Sequence, residues 1–261
     1  MNSSGLTLPT RFTKPRSSGL TLLIDNGVPT ELFKDTVISN ASLIDFVKFG
    51  WGTSIISSHL EEKIECLQTN EVEFFFGGTL FEKFVLQRKI DQYYQYCNHY
   101  GCRFIEISNG TIELSNSDKA TFITDFSKDF TVLSEVGSKS TIDSLHIHPS
   151  KWIEYINEDL EAGAYKVITE ARESGTSGIC RSDGEIRFGL IEEIIQSTIH
   201  TDDMIFEAPT KQLQTYFIEK LGSNVNLANI PFTGILSLET LRLGLRSDTL
   251  SLFEQGGHSY A

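Results

Sequence analysis

The sequence predicts an α/β fold, a single (β/α)8 TIM barrel. Short apolar runs alternate with longer amphipathic segments from end to end, the pattern of parallel strands covered on both faces by helices. The apolar runs number eight, at spacings of about 20 to 40 residues. The chain length of 261 residues is close to the roughly 250 of one such barrel. An open doubly wound sheet or a two-domain split is the alternative on length alone, and eight strands closing near this length favour the barrel. The expected organisation is an N-terminal arm (1–18), the barrel (19–252) and a tail (253–261). The arm and tail are expected to be loose, as are HIHPS (146–150) and GTSGICRSDGEI (175–186).

The strands follow in order, and side-chain alternation says which residues share a face. The first, LTLLIDNG (20–27), aligns Leu23 with Asp25. In LIDFVKFG (43–50), Ile44, Phe46 and Lys48 share a face, which puts Lys48 near the strand's end and pointing inward. EVEFFFGG (71–78) runs into Gly77-Gly78-Thr79 and a helix. CRFIEISNG (102–110) aligns Phe104, Glu106 and Ser108; FTVLSEVG (130–137) aligns Leu133 with Glu135. YKVITEA (165–171) aligns Ile168 and Glu170, with Arg172 just beyond; DDMIFEAP (202–209) aligns Ile205 with Glu207. NVNLANI (224–230), which carries Asn226, is the eighth. Helix-like segments between them include 58–68, 80–101, 119–128 and 151–164.

Composition excludes several function classes. A formal charge of −13 leaves no basic face to neutralise phosphates, which argues against a nucleic-acid binder. No apolar run approaches the roughly 20 residues of a spanning helix. The N-terminal MNSSGLTLPTRFTKPR lacks the apolar core of a secretory signal. Cys66, Cys97, Cys102 and Cys180 form no CxxC pair, so reduced, mostly buried thiols are expected. These features together predict a soluble cytoplasmic protein. Tyr- and Phe-rich helix faces suggest a homo-oligomer.

In a barrel of this kind the chemistry sits where the strands end. Four consecutive strands deliver Glu106, Glu135, Glu170 and Glu207 to that end. Any one of them alone reads as a salt-bridged barrel residue. As a set they repel one another and call for a cation, and oxygen-only ligands suit Mg2+ or Mn2+. Lys139 and Lys48 are the candidate proton carriers, Lys139 first. Two anion sites are expected: Gly77 and Gly78 at a helix start, and the loop SGTSGICRSDG with Arg181. Arg16, Arg172 and Arg181 are candidates for binding a small anionic substrate. Asp25, Ser108 and Asn226 complete the candidate substrate-binding set. His146 and His148 are discounted as metal ligands. The run Tyr93, Tyr94, Tyr96, Tyr100 is expected to be core rather than a stacking platform.

With these residues in view, the chain resembles the phosphosulfolactate synthases. The matching stretches include KPRSSGLT (14–21), IDFVKFGWGTS (44–54), FFFGGTLFE (74–82), VLSEVGSK (132–139), DLEAGAYKVITEARESG (159–175) and LETLRLGLRSDTL (238–250). The resemblance implies a (β/α)8 barrel and a carbon–sulfur lyase. The implied reaction is magnesium-dependent addition of sulfite to phosphoenolpyruvate, giving (2R)-phospho-3-sulfolactate. In methanogens that product opens a route to coenzyme M; in bacteria it leads to sulfolactate. Two departures stand out. The archaeal pattern has lysine where this chain has Asn26, and two adjacent lysines where it has Ser138-Lys139. A plant branch of the family resembles heat-stress proteins, so the alternatives are a non-catalytic member or another barrel lyase or aldolase acting on a small phosphorylated acid.

Overall fold

The structure is a computed structural model that describes residues 4–137 and 147–254. Eight parallel strands form it: β1 (Thr21–Asp25), β2 (Phe46–Phe49), β3 (Glu73–Phe76), β4 (Phe104–Ile107), β5 (Thr131–Val136), β6 (Lys166–Thr169), β7 (Met204–Glu207) and β8 (Leu227–Ile230). The hydrogen-bonded order is β3-β2-β1-β8-β7-β6-β5-β4, and β3 packs beside β4, so the sheet curls into a nearly closed barrel. Every predicted strand is present, trimmed by a few residues at each end.

Helices return the chain between strands: α1 (Thr30–Asn40), α2 (Thr53–Ile56), α3 (Leu60–Thr69), α4 (Gly78–Leu86), α5 (Ile90–His99), α6 (Asn116–Phe126), α7 (Pro149–Glu161), α8 (Phe188–Gln196), α9 (Lys211–Leu221) and α10 (Ile235–Arg242). The expected long segment 80–101 is two helices. The chain breaks between them at Arg88, whose φ of +54° leaves the helical region. Of the expected flexible HIHPS stretch, His148 and Pro149 start α7 instead. The His148 ring nitrogen accepts from the Ser150 amide, and Pro149 suits the first helical turn, where an N–H has no partner.

Two apolar layers build the core. Leu20, Leu22, Phe46, Phe75, Leu133, Ile168, Ile205 and Ala228 fill the barrel's interior, with Phe104 set edge-on to Phe46 at 4.8 Å. A larger layer lies between strands and helices; there Tyr93, Tyr96 and Tyr100 pack on Phe81 and Phe76. The interior plug occupies the lower barrel. Above it, at the carboxyl ends of the strands, inward positions switch from Leu, Ile and Phe to Lys48 and glutamates.

The arm expected to be loose is tied across the barrel's amino-terminal end. Arg11 pairs with Glu239 and donates to the Ser223 carbonyl. The Lys14 ammonium donates to the carbonyls of Ala41, Ile44 and Glu71. Among the described residues no helix is long and apolar enough to cross a membrane, and all four cysteines are free thiols.

Candidate active site

A cavity of about 270 Å³ opens at the carboxyl ends of the strands, lined among others by Lys48, Glu106, Glu135, Glu170, Glu207 and Asn229. The four glutamates are 1–2% exposed. They reach the same place because each occupies an inward position one step above a plug residue of its own strand. The Lys48 ammonium stands among them, 3.0 Å from Glu207, 3.3 Å from Glu106 and 3.8 Å from Glu135. Burial alone would push this lysine down. The charges of Glu106, Glu207, Glu135 and Glu170 outweigh it and hold the ammonium well above the ordinary lysine range. Lys48 is therefore a fixed cation near neutral pH, not a group poised to release a proton.

The backbone locks this arrangement. Gly78 at the start of α4 donates its amide to Glu106 at 2.7 Å, so a carboxylate already sits on that helix terminus. The Ala171 amide donates to Glu207 at 2.8 Å and the Arg172 amide to Glu170 at 2.6 Å. Arg172 adopts φ +60° and contributes to the cavity lining with Glu173 and Trp51. A buried network below braces β5: Lys119 pairs with Asp159 at 2.7 Å and donates to the Glu135 carbonyl at 3.0 Å.

Several expected site residues lie elsewhere. Asp25 points out of the barrel. Leu20 and Leu22 belong to the interior plug and Ile24 to the cavity wall, so the inward face of β1 is the opposite of the one expected. The Asp25 carboxylate pairs with Lys63 of α3 at 2.6 Å and accepts the amides of Gly27 and Val28. Arg16 sits at the amino-terminal end, bound to Asp45 at 2.8 Å, and Asp45 in turn accepts the Thr21 amide at the foot of β1. Asn226 is at the same end, accepting from Leu20 and donating to the Met204 carbonyl. Arg181 is exposed and pairs with Glu185 at 3.0 Å. Ser108 donates to Glu82 of α4 at 2.6 Å. Gly77 and Gly78 do line the cavity, but the Gly78 amide is committed to Glu106 rather than offered to a phosphate. Lys139 and His146 fall outside the described residues.

Since Arg16 braces the barrel floor, Arg16→Ala is expected to lower stability by about 3 kcal/mol, the cost of stranding a buried partner, and to leave KM for substrate unchanged. Thermal melts with steady-state kinetics check this; a raised KM with an unaltered melt would contradict it.

Sequence reasoning missed Asn229, Trp51 and Glu82. For Asn229 a signal existed: an asparagine inside an apolar strand is uncommon. Trp51 and Glu82 carried no comparable mark.

The metal requires a separate test. Among the described residues no group of three or more His, Cys, Asp or Glu side chains is disposed to hold a metal ion, so the four glutamates do not form a single cage. Glu207 and Glu106 stand nearest Lys48, at 3.0 and 3.3 Å, with Glu135 farther off at 3.8 Å. Magnesium does not need such a cage: it commonly takes one or two carboxylates and completes its shell with water and substrate oxygens. Glu135 on β5 and Glu170, the residue that follows the adjacent β6, fit that demand.

Comparison with known proteins bears on the family and the fold. The chain is 56% identical over 252 residues to the phosphosulfolactate synthase of Bacillus subtilis (strain 168), covering 97% of this chain and 100% of that one. It is 39% identical over 254 residues to that of Methanothermobacter thermautotrophicus, covering 96% and 98%. Among solved structures, 3-hexulose-6-phosphate synthase from Salmonella typhimurium superposes with a TM-score of 0.55 at 11% identity, over 87% of this chain and 100% of that one. The YdjI aldolase from Escherichia coli K12 gives 0.54 at 10% identity, over 92% and 93%; at such identities the likeness is one of fold. The sequence model of the (2R)-phospho-3-sulfolactate synthase (ComA) family matches residues 9–248, and the chain belongs to that family.

Proposed function

We propose that the protein catalyses the magnesium-dependent addition of sulfite to phosphoenolpyruvate, giving (2R)-phospho-3-sulfolactate. The observation that carries the reading is Lys48 held among four glutamates at the mouth of a barrel whose sequence belongs to this family. Sulfite is a strong nucleophile and needs little activation. Its sulfur forms a bond to the methylene carbon of phosphoenolpyruvate, and the π electrons of the double bond move toward the substrate carboxylate. The phosphate-bearing carbon then takes a proton on one face. Both reactants are anions, so the cavity must offset their repulsion.

The chain's residues divide that work. Lys48 is a permanent positive charge at the cavity floor, where developing negative charge is stabilised without a proton leaving the ammonium. Glu106 and Glu207 fix the ammonium's position through the Gly78 and Ala171 amides. Arg172 at the rim is the described cation placed to meet an incoming oxyanion. Glu135 and Glu170 are assigned to the magnesium ion. When bound, that ion supplies charge neutralisation at the substrate carboxylate. Lys139 stands as the proton donor on the sequence alone, three residues beyond the end of β5.

If Glu135 is a magnesium ligand, Glu135→Gln is expected to raise the magnesium concentration for half-maximal rate roughly tenfold or more, with the fold intact. Metal titrations of activity and calorimetry with magnesium check this, and unchanged dependence in both Glu135→Gln and Glu170→Gln would refute the assignment. Profiling phosphorylated three-carbon acids with and without sulfite separates the synthase from a barrel aldolase, which would turn over without it.

A further inference from the structure

Asn229 takes no part in the acid ring, yet its setting is unusual. Thr21 of β1 pairs with Leu227 of β8, whereas Leu23 pairs with Ile230. Three steps along β8 therefore oppose two along β1, a bulge. Such an extra residue turns a side chain that regular pleating would send elsewhere, and bulges recur beside active sites. Asn229 adopts φ +57°, a conformation that asparagine tolerates better than most residues. It is 4% exposed and lines the same cavity as Glu207 of β7 and Ile24 of β1. Its Oδ1 is buried with no hydrogen-bond partner among the described residues. A buried acceptor in that state opposes folding, and so does a left-handed side chain. A core asparagine kept only for packing would have neither feature.

We infer that Asn229 is a substrate-positioning residue whose carboxamide hydrogen-bonds an oxyanion-bearing ligand in the cavity. The amide nitrogen donates to a ligand oxygen, and Oδ1 accepts from a protonated oxygen of the same ligand or from a water it brings. An uncharged group suits this wall: a further carboxylate in the same cavity as Glu207 would repel an anion, while an amide adds donors without adding charge. The naming of the ligand as phosphoenolpyruvate or sulfite rests on the synthase reading; the role of the residue rests on the bulge and the buried oxygen.

The test uses Asn229→Gly, which keeps the left-handed backbone without strain, and Asn229→Asp, which is isosteric but anionic. Thermal melts are taken with and without phosphoenolpyruvate, sulfite or inorganic phosphate, each with magnesium, alongside steady-state kinetics. The expected result is that Asn229→Gly melts no lower than wild type without ligand. KM for at least one substrate should rise roughly tenfold to a hundredfold, the range for losing a hydrogen bond to a charged group, with kcat changing less. Asn229→Asp should be the poorer binder at neutral pH and recover in part as the pH falls and its carboxyl protonates. A rise confined to phosphoenolpyruvate or to sulfite identifies which substrate the amide holds. A lower melt with unchanged KM would mean a structural role and would overturn the inference, as would a wild-type protein that none of the three ligands stabilises. Wild type stabilised by phosphoenolpyruvate but forming no product would sink the synthase reading alone.

Discussion

Replacing Lys48 with methionine is expected to abolish turnover and to destabilise the protein by about 3–5 kcal/mol at neutral pH, the range for removing one partner of a buried ionic cluster. The side chain is nearly buried and lies 3.0–3.8 Å from three carboxylates. Methionine fills much of the volume and removes the charge, leaving four glutamates facing one another. The loss should depend on pH in a defined direction. In wild type the lysine's folded-state affinity for its proton is raised, so its contribution is fully present below the ordinary lysine value of about 10.4. It is lost only as the pH rises through the raised value. Between pH 5 and 9 this lysine therefore adds no slope. In the variant the uncompensated carboxylates bind protons more tightly when folded than unfolded, so stability is retained at low pH and declines as the pH rises above the ordinary glutamate value of about 4.3. Urea melts across pH 5–8 check this. A variant as stable as wild type at pH 8 would show that Lys48 does not compensate the ring.

Gly178→Ala carries the second large effect, expected at about 2–5 kcal/mol with most activity lost. Gly178 adopts φ +60°, and a Cβ there would lie 1.8 Å from the Glu170 carbonyl oxygen. That oxygen accepts the Ile179 amide at 2.9 Å, so the loop after β6 rests directly on the strand end that presents Glu170. Backbone has to move, and the amides of Ala171 and Arg172, which hold Glu207 and Glu170, move with it. Gly184→Ala is the control. It shares the loop and a positive φ of +85°, but its nearest atom would be 3.8 Å away, so about 1 kcal/mol and near-normal activity are expected. Equal effects from the two would mean that conformational strain, not the clash at Glu170, sets the cost.

The barrel was legible in the sequence because eight buried strands leave an unambiguous apolar rhythm, and the acid ring because alternation within β4, β5, β6 and β7 is regular. β1 misled for a physical reason. Its residues Thr21 to Asp25 are all buried, so nothing marks the inward face, and the bulge opposite it shifts register. Arg16 and Asn226 were misplaced although a signal was present: Arg16 precedes the first strand and Asn226 lies near the start of the expected eighth, so both belong to the barrel's floor, whereas residues that follow a strand belong to the mouth. The pairing of Arg181 with Glu185 and the capture of the Gly78 amide by Glu106 depend on loop geometry that composition does not carry. The left-handed turn at Asn229 arises from the shifted pairing of β8 with β1, which no local pattern records.

The most direct test of the account is phosphorus NMR of the purified protein with phosphoenolpyruvate, sulfite and magnesium, beside mixtures lacking each component. The account predicts a new phosphate-ester resonance that requires all three and the protein, with no inorganic phosphate released. Phosphoenolpyruvate left intact in the complete mixture, or converted equally well without sulfite, would contradict it.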